Sequence, residues 1–264
     1  ILLHQAGLKA FIPFYDNTKD NLNKLNPKYF KNANLDNSFL KVSDSLFVNP
    51  IVKDSVFQWI ANSALVHSSS SKKYLYSDLG LIILQHIIEK ISGQSLDAFV
   101  DSKIYLPLGM YNTGFNILEK KNTTNLAPTE ITKDYRNGLI KGTVHDPNAA
   151  LLGGVAGHAG LFSNVWDLAK LFQMNLNKGE YEDAQFFSEN TIDYFTAKQS
   201  SVSHRGLGWN KPTKGDPSVS EYASASSYGH TGFTGTAAWV DPEKELIFIF
   251  LSNRVYPSSE NNKI

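Results

Sequence analysis

The sequence has 264 residues, of which 42% are hydrophobic and 19% are charged, values typical of one large folded domain or two closely packed ones. Lys and Arg together number 25, as do Asp and Glu, so no net charge favours binding to nucleic acid or to an anionic membrane. Cysteine is absent, which excludes disulfides and thiolate metal sites. No apolar run approaches the roughly 20 residues of a membrane-spanning helix, and the histidines show no metal-ligand spacing.

The first half of the chain is predicted to be mostly helical. Residues 1–50 indicate loops with short helices, and the apolar spacing in 50–65 predicts a helix that begins at Pro50. A polar connector over 68–73 follows. Residues 79–91 are apolar nearly all round, which predicts a buried helix that begins with a cap at Ser77 or Asp78 and ends at Gly93 in a left-handed conformation. Ser95 is expected to cap a shorter helix that extends to about residue 104.

The second half is predicted to add helices and then strands. After an irregular stretch over 111–145, a glycine-rich loop at 153–160 leads to a helix over 166–178, capped by Ser163 and ended by Gly179. Ser188 starts another helix over 189–198, and two strands are expected near 235–240 and 245–251. We therefore expect a mostly helical part over about 1–145 and an α/β part over about 146–264.

Tyr76 stands at the start of the buried helix, in the motif Tyr76-Ser77-Asp78. A phenol at a helix N-terminus loses its proton more readily when cations lie nearby, and it could then act as a general base for a serine hydroxyl. Asp78 could orient a substrate amide or a lysine. The alternatives are a core tyrosine with a satisfied hydroxyl and a simple helix cap.

A second motif, His230-Thr231-Gly232, precedes the predicted strands. On an edge strand, Gly232 would let a substrate backbone approach closely, and the N–H of Phe233 could polarise a carbonyl as an oxyanion hole does. His230 would offer a charged or neutral donor, depending on pH. The alternative is a strand-entry turn in which Thr231 and Gly232 serve geometry alone.

A serine nucleophile is not evident in the sequence. Three Ser-x-x-Lys matches exist, and the motif requires Ser and Lys on one face of a helix. None of the three opens an apolar helix, so we interpret them as chance matches; they begin at Ser38, Ser69 and Ser70. The glycine-rich loop at 153–160 matches neither of the two common phosphate-binding patterns, G-x-G-x-x-G and G-x-x-x-x-G-K-[ST]. A phosphate site is therefore not predicted there.

Taken in order, these motifs resemble the serine β-lactamase and penicillin-binding-protein superfamily, in its class C β-lactamase, DD-peptidase and esterase branch. Tyr76-Ser77-Asp78 is similar to the Tyr-x-Asn of that branch, and His230-Thr231-Gly232 to its Lys/His-Thr-Gly. The likeness extends over nearly the whole chain, through residues 2–8, 87–93, 107–110, 144–146, 153–162 and 251–254. The sequence over 253–260 is similar to that of a subgroup of the superfamily. In this subgroup the domain follows a family-3 glycoside hydrolase in the same chain.

The resemblance implies an α+β fold in three layers, an antiparallel sheet flanked by helices, with a mostly helical region beside it. Compared with the family, this chain is expected to lack the N-terminal part of the domain. The resemblance also implies an acyl-enzyme mechanism without a cofactor or metal, on an amide or ester in a small molecule or peptide. In relatives the Ser-x-x-Lys helix precedes the Leu-Leu-x-His segment, so we expect the nucleophile before Ile1. A periplasmic or cell-envelope location, and fusion to another catalytic domain, are further implications.

Two functions follow as hypotheses. In the first, the parent protein is a serine hydrolase in which Tyr76, His230 and Phe233 are catalytic. Substrate contacts would then come from Asp78, Thr231 and Gly232, and the fragment alone would be inactive. Asp78 in place of Asn and His230 in place of Lys make an esterase or peptidase as plausible as a β-lactamase. In the second, the protein lacks a nucleophile and is a module that recognises cell-wall peptide or a partner domain.

Overall fold

The structure is a computed structural model, and it describes residues 1–32, 38–120 and 125–261, without the side chains of residues 69, 119 and 120. The helices are α1 (Ile51–Ala61), α2 (Asp78–Ser92), α3 (Leu96–Val100), α4 (Ile117–Lys120), α5 (Pro147–Leu151), α6 (Val165–Leu176) and α7 (Glu189–Thr196). Short 3-10 turns occur at Phe14–Thr18, Ser69–Ser71 and Pro242–Lys244, and a π-helical turn, Asp101–Tyr105, extends α3. No helix in these described ranges is both long and apolar enough to span a membrane.

All strand pairs in the described residues are antiparallel. The strands are β1 (Phe30–Lys31), β2 (Leu40–Ser43), β3 (Leu46–Val48), β4 (Glu130–Thr132), β5 (Gly138–Ile140), β6 (Glu180–Tyr181), β7 (Ala184–Gln185), β8 (Tyr228–Gly232), β9 (Thr236–Asp241) and β10 (Leu246–Leu251). Two sheets have three strands, in the orders β1-β3-β2 and β10-β9-β8, and two are hairpins, β4-β5 and β6-β7. This combination of antiparallel sheets and helices confirms the predicted α+β fold class.

The largest hydrophobic core lies in the first part of the chain and positions α2. It joins α1, α2, α5 and the β1-β3-β2 sheet, and several of its side chains are fully buried, among them Phe14, Val42, Val56, Leu79 and Ile82. Ile82 lies four residues after Asp78, so the start of α2 is anchored in this core. The predicted left-handed end of the helix is confirmed, because Gly93 has φ of 69° and donates its N–H to Glu89.

A smaller core lies between α6 and the β10-β9-β8 sheet. Val240 and Tyr228 are buried against Phe172 of α6, with Ile247 and Ile249 beside them. The alternate residues of β10, Leu246, Phe248 and Phe250, are 53%, 53% and 41% exposed. The sheet therefore has one covered face, and β8 is an edge strand, as expected for the His-Thr-Gly motif.

Several local predictions need correction. Ser77 precedes α2 but makes no capping bond, because its hydroxyl donates to the Lys9 carbonyl oxygen at 2.7 Å. Helix α6 is capped by Asn164, which accepts from the Asp167 N–H at 2.9 Å, and not by Ser163. Ser95 likewise makes no capping bond. The predicted cap at Ser188 is confirmed.

Other corrections concern whole elements. Helix α1 ends at residue 61, four residues before the predicted end. The first 50 residues contain the β1-β3-β2 sheet, and the stretch expected to be irregular contains α4 and the β4-β5 hairpin. Helix α5 follows Asp146, whose carboxylate caps it at the Ala149 N–H. The strands β1 to β5 and the helices α4 and α5 are two to five residues long. Hydrophobic periodicity cannot reveal elements this short.

Candidate active site

The turn that carries Tyr76 is fixed by a segment more than 60 residues away in sequence. Leu75 donates its N–H to the His4 carbonyl at 2.9 Å, and Asp78 donates to the Ala10 carbonyl at 3.1 Å. Between them, the Ser77 N–H donates to His4 Nδ1 at 3.0 Å. Because main-chain groups at three of these positions are bonded to the same segment, the turn holds Tyr76 at a defined point at the start of α2.

His4 supports the Tyr76 ring directly. It is 5% exposed, it has φ of 53°, and its ring lies 4.3 Å from the Tyr76 ring, centroid to centroid. Burial, with smaller effects of Arg205 and His230, lowers the pKa of His4 from 6.5 to about 4. His4 is therefore neutral at physiological pH, which agrees with Nδ1 accepting the Ser77 N–H.

The second motif lies on β8, at the open edge of its sheet. Gly229 exchanges two hydrogen bonds with Asn210, of 2.8 and 3.1 Å, but in the described residues this pairing does not continue along the strand. Main-chain groups alternate between the two edges of a strand, so those of Thr231 point away from β9, as those of Gly229 do. Thr231, Gly232 and Phe233 are exposed. An extended substrate could pair with this edge.

Arg205 connects the two motifs. Its side chain reaches β8 and the turn before α2, although the residue is only 3% exposed. The guanidinium donates to His230 Nε2 at 3.1 Å and to the Tyr74 hydroxyl at 3.2 Å. Its central carbon lies 5.2 Å from the Tyr76 ring centroid. The rings of Tyr76 and His230 are 6.5 Å apart, centroid to centroid, so the two predicted catalytic side chains occupy one site.

The contacts of His230 fix its protonation. Arginine can only donate, so Nε2 must be the unprotonated nitrogen. Nδ1 then carries the proton and donates to the Thr231 carbonyl at 2.7 Å. Burial, together with the charge of Arg205, lowers the pKa of His230. The sequence analysis left open whether His230 is charged or neutral, and the structure favours the neutral form.

Tyr76 has its phenol at the site but not the lowered pKa that the sequence argument anticipated. Burial, and then the charge of Asp78, raise the pKa of Tyr76 above 10, and Arg205 opposes this only in part. The nearby cation lies over the ring face, where it stabilises the π system as well as a phenolate. With these groups alone Tyr76 is protonated at neutral pH.

Asp78 lies at the start of α2, where the charges of His158 and Asp146 act on its carboxyl group. Burial, and in addition the charge of Asp146, raise the pKa of Asp78, whereas the charge of His158 lowers it. His158 Nε2 lies 2.9 Å from Asp146 Oδ1. The sequence analysis named a substrate amide or a lysine as partners of Asp78, and it did not anticipate the influence of His158 and Asp146.

Phe233 follows the motif on β8 and forms the outer part of the site. It is 64% exposed, with its ring 5.6 Å from that of His145 and 4.7 Å from the Arg254 guanidinium carbon. His145 Nε2 is bonded to Glu130 at 2.7 Å, and Glu130 also accepts the Ser259 N–H at 2.7 Å. Residues of β4 and of the C-terminal segment therefore support this aromatic contact.

The three Ser-x-x-Lys matches do not lie on helices. Ser38 precedes β2, and Lys41 belongs to that strand. The matches at residues 69 and 70 lie in the 3-10 turn Ser69–Ser71 and the chain after it, where Lys72 has φ of 52°; the Ser69 side chain falls outside the described atoms. This placement agrees with the interpretation as chance matches. In the described ranges no group of three or more His, Asp or Glu residues could hold a metal ion.

Sequence reasoning missed Arg205, His4 as a support, and the His145 contact. Arginine occurs at only three positions, 136, 205 and 254. In a chain that otherwise uses lysine, this scarcity was the signal that could have indicated Arg205 as a candidate site residue. Two of the three, Arg205 and Arg254, contact the site. Arg136 is buried, with its guanidinium bonded to Asp134 at 2.5 Å.

The model of the beta-lactamase family matches residues 1–263. The chain belongs to the beta-lactamase family. A protein of Escherichia coli K12, provisionally named a D-alanyl-D-alanine carboxypeptidase, is 38% identical over 216 residues, which are 76% of this chain and 50% of that protein. A protein of Salmonella newport with the same provisional name is 37% identical over 226 residues, 80% of this chain and 52% of that one. The chain thus spans about half the length of the curated relatives it matches.

Solved structures show the same fold. A penicillin-binding-protein homologue from Caulobacter crescentus superposes with a TM-score of 0.60 at 16% identity, over 96% of this chain and 64% of that one. A penicillin-binding protein from Bacillus halodurans gives 0.60 at 14% identity, over 96% and 66%. The predicted resemblance to the β-lactamase and penicillin-binding-protein superfamily is therefore confirmed.

Proposed function

We propose that this chain supplies the general base and the substrate-binding edge of a serine hydrolase of β-lactamase, DD-peptidase or esterase type. The observation that carries the proposal is the meeting of Tyr76 and His230, whose rings are 6.5 Å apart, through the buried Arg205. Their motifs are separated by about 150 residues of sequence. A family fold alone does not require that these two side chains share one arginine.

The proposed reaction begins at a serine hydroxyl. Tyr76 as phenolate takes the hydroxyl proton while the serine oxygen attacks the substrate carbonyl, and the N–H of Phe233 stabilises the negative oxygen that forms. The leaving group departs with a proton, and water then releases the acyl group from serine. Asp78, Thr231 and Gly232 would orient the substrate along β8. His230 is neutral and already bonded at both nitrogens, so its role would be to hold Arg205 and Thr231.

The raised pKa of Tyr76 sets a requirement on the rest of the protein. A phenolate at neutral pH needs another cation close to its oxygen. The lysine of a Ser-x-x-Lys segment, expected before Ile1, would supply that charge together with the nucleophile. The proposal therefore couples the basicity of Tyr76 to the presence of that segment.

The substrate class follows from the relatives and is part of the proposal. Proteins at 38% identity are provisionally named D-alanyl-D-alanine carboxypeptidases, a name that supports a peptide ending in D-alanyl-D-alanine as the substrate. An extended peptide suits the open edge of β8, because the main-chain N–H of Thr231 points to that edge, although its carbonyl already accepts from His230 Nδ1. We accordingly place the parent protein in the periplasm or at the cell envelope.

The test uses the full-length protein with a D-alanyl-D-alanine peptide, nitrocefin and a p-nitrophenyl ester. We expect turnover of at least one of them, and Tyr76→Phe should lower kcat by about 100-fold or more, because general base catalysis contributes this much. Tyr222→Phe is the matched control, since Tyr222 is 77% exposed, and it should retain full activity. Equal activity of Tyr76→Phe and the wild type would contradict the assignment of the base.

The same experiment separates the hydrolase from the binding module. Binding of the peptide without turnover, in a full-length protein that lacks a Ser-x-x-Lys helix, would favour a module without a nucleophile. Residues 1–264 alone should form no covalent adduct with a β-lactam or a fluorophosphonate, as judged by intact-mass spectrometry. An adduct on Ser70 would show that a Ser-x-x-Lys match interpreted as chance is reactive.

A further inference from the structure

The turn that follows β8 is fixed through its main chain by the C-terminal segment. The hydroxyl and the N–H of Ser252 both donate to the Gly235 carbonyl, at 2.7 and 3.2 Å. The Arg254 N–H donates to the Thr234 carbonyl at 3.1 Å. Gly235 has φ of 101°, and a Cβ there would lie 2.4 Å from the Ser252 hydroxyl oxygen, so glycine is required. The N–H of Phe233, the proposed oxyanion donor, therefore lies in a turn held by bonds that do not involve the Phe233 side chain.

The Phe233 ring is held separately, by its contact with His145. The two rings are stacked, with 5.6 Å between their centroids and 22° between their planes. Phe233 is nevertheless 64% exposed, so much of its ring surface is open to solvent. The ring and the N–H belong to one residue and are joined only through Cα and Cβ. A carbonyl group bound at this N–H would therefore have its substituents beside the ring.

His145 is fixed in turn by two buried residues. Its Nε2 lies 2.7 Å from Glu130 Oε2, and Arg136 donates to its carbonyl at 2.6 Å. The other Glu130 oxygen accepts the Ser259 N–H at 2.7 Å. Burial disfavours the charge of Glu130, but the bonds from Ser259 and His145 outweigh this effect and lower the pKa of Glu130. Glu130 is therefore a carboxylate that only accepts, and His145 Nε2 carries a hydrogen whether or not the ring is charged.

The choice of histidine at position 145 goes beyond the needs of Glu130. A buried carboxylate requires a partner, and a lysine would supply one. Lysine has no flat ring to stack on Phe233, whereas histidine combines the donor with such a ring. The Glu130–His145 pair is therefore suited to hold an aromatic side chain in place at the edge of the site.

We propose that His145, held by Glu130, is a positioning residue that fixes the Phe233 ring as a wall for an apolar group on the reacting carbonyl of the substrate. The proposal rests on the proposed function, in which the Phe233 N–H binds the carbonyl oxygen. A large apolar acyl group would contact the ring, whereas a methyl group would contact little of it. Substrates with the larger group should be preferred through KM and not through kcat, because the N–H is fixed independently of the ring.

The first test measures the ring contact without catalysis, by NMR of the full-length protein with ¹³C-labelled histidine. The ring proton signals of His145 should move in Phe233→Leu, because the ring current of the aromatic neighbour is gone. Phe187→Leu is the matched control: Phe187 lies before α7 and is 37% exposed, and its replacement should leave the signals in place. Unmoved signals in Phe233→Leu would overturn the proposal.

The same signals report on binding of a ligand that is not hydrolysed. Added phenylacetamide should move the His145 signals in the wild type, because its ring would lie against Phe233. Acetamide has the same amide and no ring, and it should not move them. Equal responses to the two amides would contradict a wall that recognises apolar groups.

The second test uses two esters with the same leaving group, p-nitrophenyl phenylacetate and p-nitrophenyl acetate, on the full-length enzyme. In His145→Gln the ratio of their kcat/KM values should fall about fivefold, the size expected for one aromatic contact. A glutamine can still donate to Glu130, so the buried carboxylate keeps a partner while the ring is lost. Since the oxyanion donor stays in place, kcat for the acetate ester should remain within about twofold.

His86→Gln is the matched control for this substitution. His86 lies on α2 and packs against Phe57 of α1, with the rings 4.1 Å apart, so another histidine–phenylalanine contact is removed outside the site. The ratio of the two esters should stay at the wild-type value. An equal loss of activity on both esters in His145→Gln would indicate a purely structural role and would overturn the proposal.

Glu130→Gln covers the case in which His145→Gln does not fold. Glutamine has one acceptor oxygen in place of two, so it cannot reproduce the bonds from both Ser259 and His145. The ester ratio should fall in this variant too, and an unchanged ratio would contradict the role of Glu130 as the support.

A double-mutant cycle tests whether His145 acts through Phe233. In the Phe233→Ala background, His145→Gln should change the ester ratio less than about twofold, because the two residues act as a unit. The same change in both backgrounds would contradict this. An enzyme that hydrolyses neither ester nor a D-alanyl-D-alanine peptide would count against the proposed function, while the two NMR measurements would still decide the role of His145.

Discussion

The two sides of the site differ in how they are held: hydrogen bonds from a distant segment fix the helix side, whereas the strand side is an open sheet edge. The helix side consists of His4 and the turn 74–78, with His4 and Ser77 only 5% and 4% exposed. The strand side consists of residues 230–233, of which Thr231, Gly232 and Phe233 are exposed. Both sides carry residues of proposed catalytic function. On the helix side only the supports His4 and Ser77 are buried, and Tyr76 itself is 37% exposed.

This difference indicates that the two sides of the site have different roles. Groups that must keep a set protonation state, such as Tyr76 and Asp78, benefit from neighbours fixed in place, because small displacements change their pKa values. Groups that must pair with an incoming chain benefit from an open edge, because the main-chain N–H of Thr231 then points toward the substrate and not toward β9. The comparison can be tested by changing residues on each side and at their junction.

The largest effect is expected at the junction, from Arg205→Met. This change removes the donors to His230 and Tyr74 and leaves two half-buried polar groups without that partner, at about 1–3 kcal/mol each. We expect the free energy of unfolding to fall by about 3–4 kcal/mol in urea denaturation. Since the charge of Arg205 contributes to the lowered pKa of His230, the His230 titration should also move to higher pH.

Arg254→Met provides the matched control for that change. Arg254 contacts the exposed Phe233 ring and donates to the Asn261 carbonyl at 2.7 Å, so its loss should cost less than about 1 kcal/mol. Equal destabilisation by Arg205→Met and Arg254→Met would mean that the two sides of the site are not joined by Arg205 in solution.

A smaller effect is expected on the helix side, from the pH dependence of stability due to His4. Its folded-state pKa is about 4 against 6.5 unfolded, so between these values the unfolded state binds the extra proton and stability falls as pH falls. Lowering the pH from 6.5 to 5 should cost about 1.5 kcal/mol through His4 alone. Asp146 and Glu130, whose pKa values are lowered, lose their contributions mainly below this window.

His4→Gln should remove this part of the pH dependence, because a glutamine oxygen can still accept the Ser77 N–H but does not titrate. The measurement is urea denaturation of both proteins at pH 6.5 and pH 5. The wild type should lose more stability between the two values than His4→Gln does. Parallel losses would show that His4 is not buried as a neutral group, and that the helix side is less rigid than described.

Local rules predicted the elements of the fold better than the contacts of the site. The sequence predicted the bounds of five elements within a few residues: helices α2, α6 and α7 and strands β9 and β10. Their hydrophobic periodicity, and caps such as Gly93 and Ser188, depend only on residues close together in sequence. Ser77 shows the limit of such rules. Its position favours a cap, but its hydroxyl bonds to Lys9, and a sequence pattern contains no information on that contact.

The site itself was anticipated only through the order of its motifs. The family resemblance placed Tyr76 and His230 in one site, and the structure has their rings 6.5 Å apart. Arg205 lies 25 residues before His230, in a stretch without periodicity, and its two bonds depend on how the chain returns to α2. Long-range hydrogen bonds leave no local signature, so the direction of the Tyr76 pKa shift could not be inferred either.

The smallest effect on stability is expected on the strand side, from Phe233→Ala. The ring is 64% exposed, so its removal should change the free energy of unfolding by less than about 1 kcal/mol, far less than Arg205→Met. The proposed oxyanion donor is the main-chain N–H of Phe233, which this substitution retains. In the full-length enzyme kcat should therefore stay within a few-fold of the wild type.

KM is the quantity that Phe233→Ala should change, because the ring, placed between His145 and Arg254, offers an apolar surface beside the substrate edge. Phe233→Leu should recover most of the wild-type KM if that surface acts through apolar contact. A loss of kcat as large as that expected for Tyr76→Phe would instead show that the conformation of this edge depends on the ring. The strand side would then be as constrained as the helix side, and the contrast between the two would not hold.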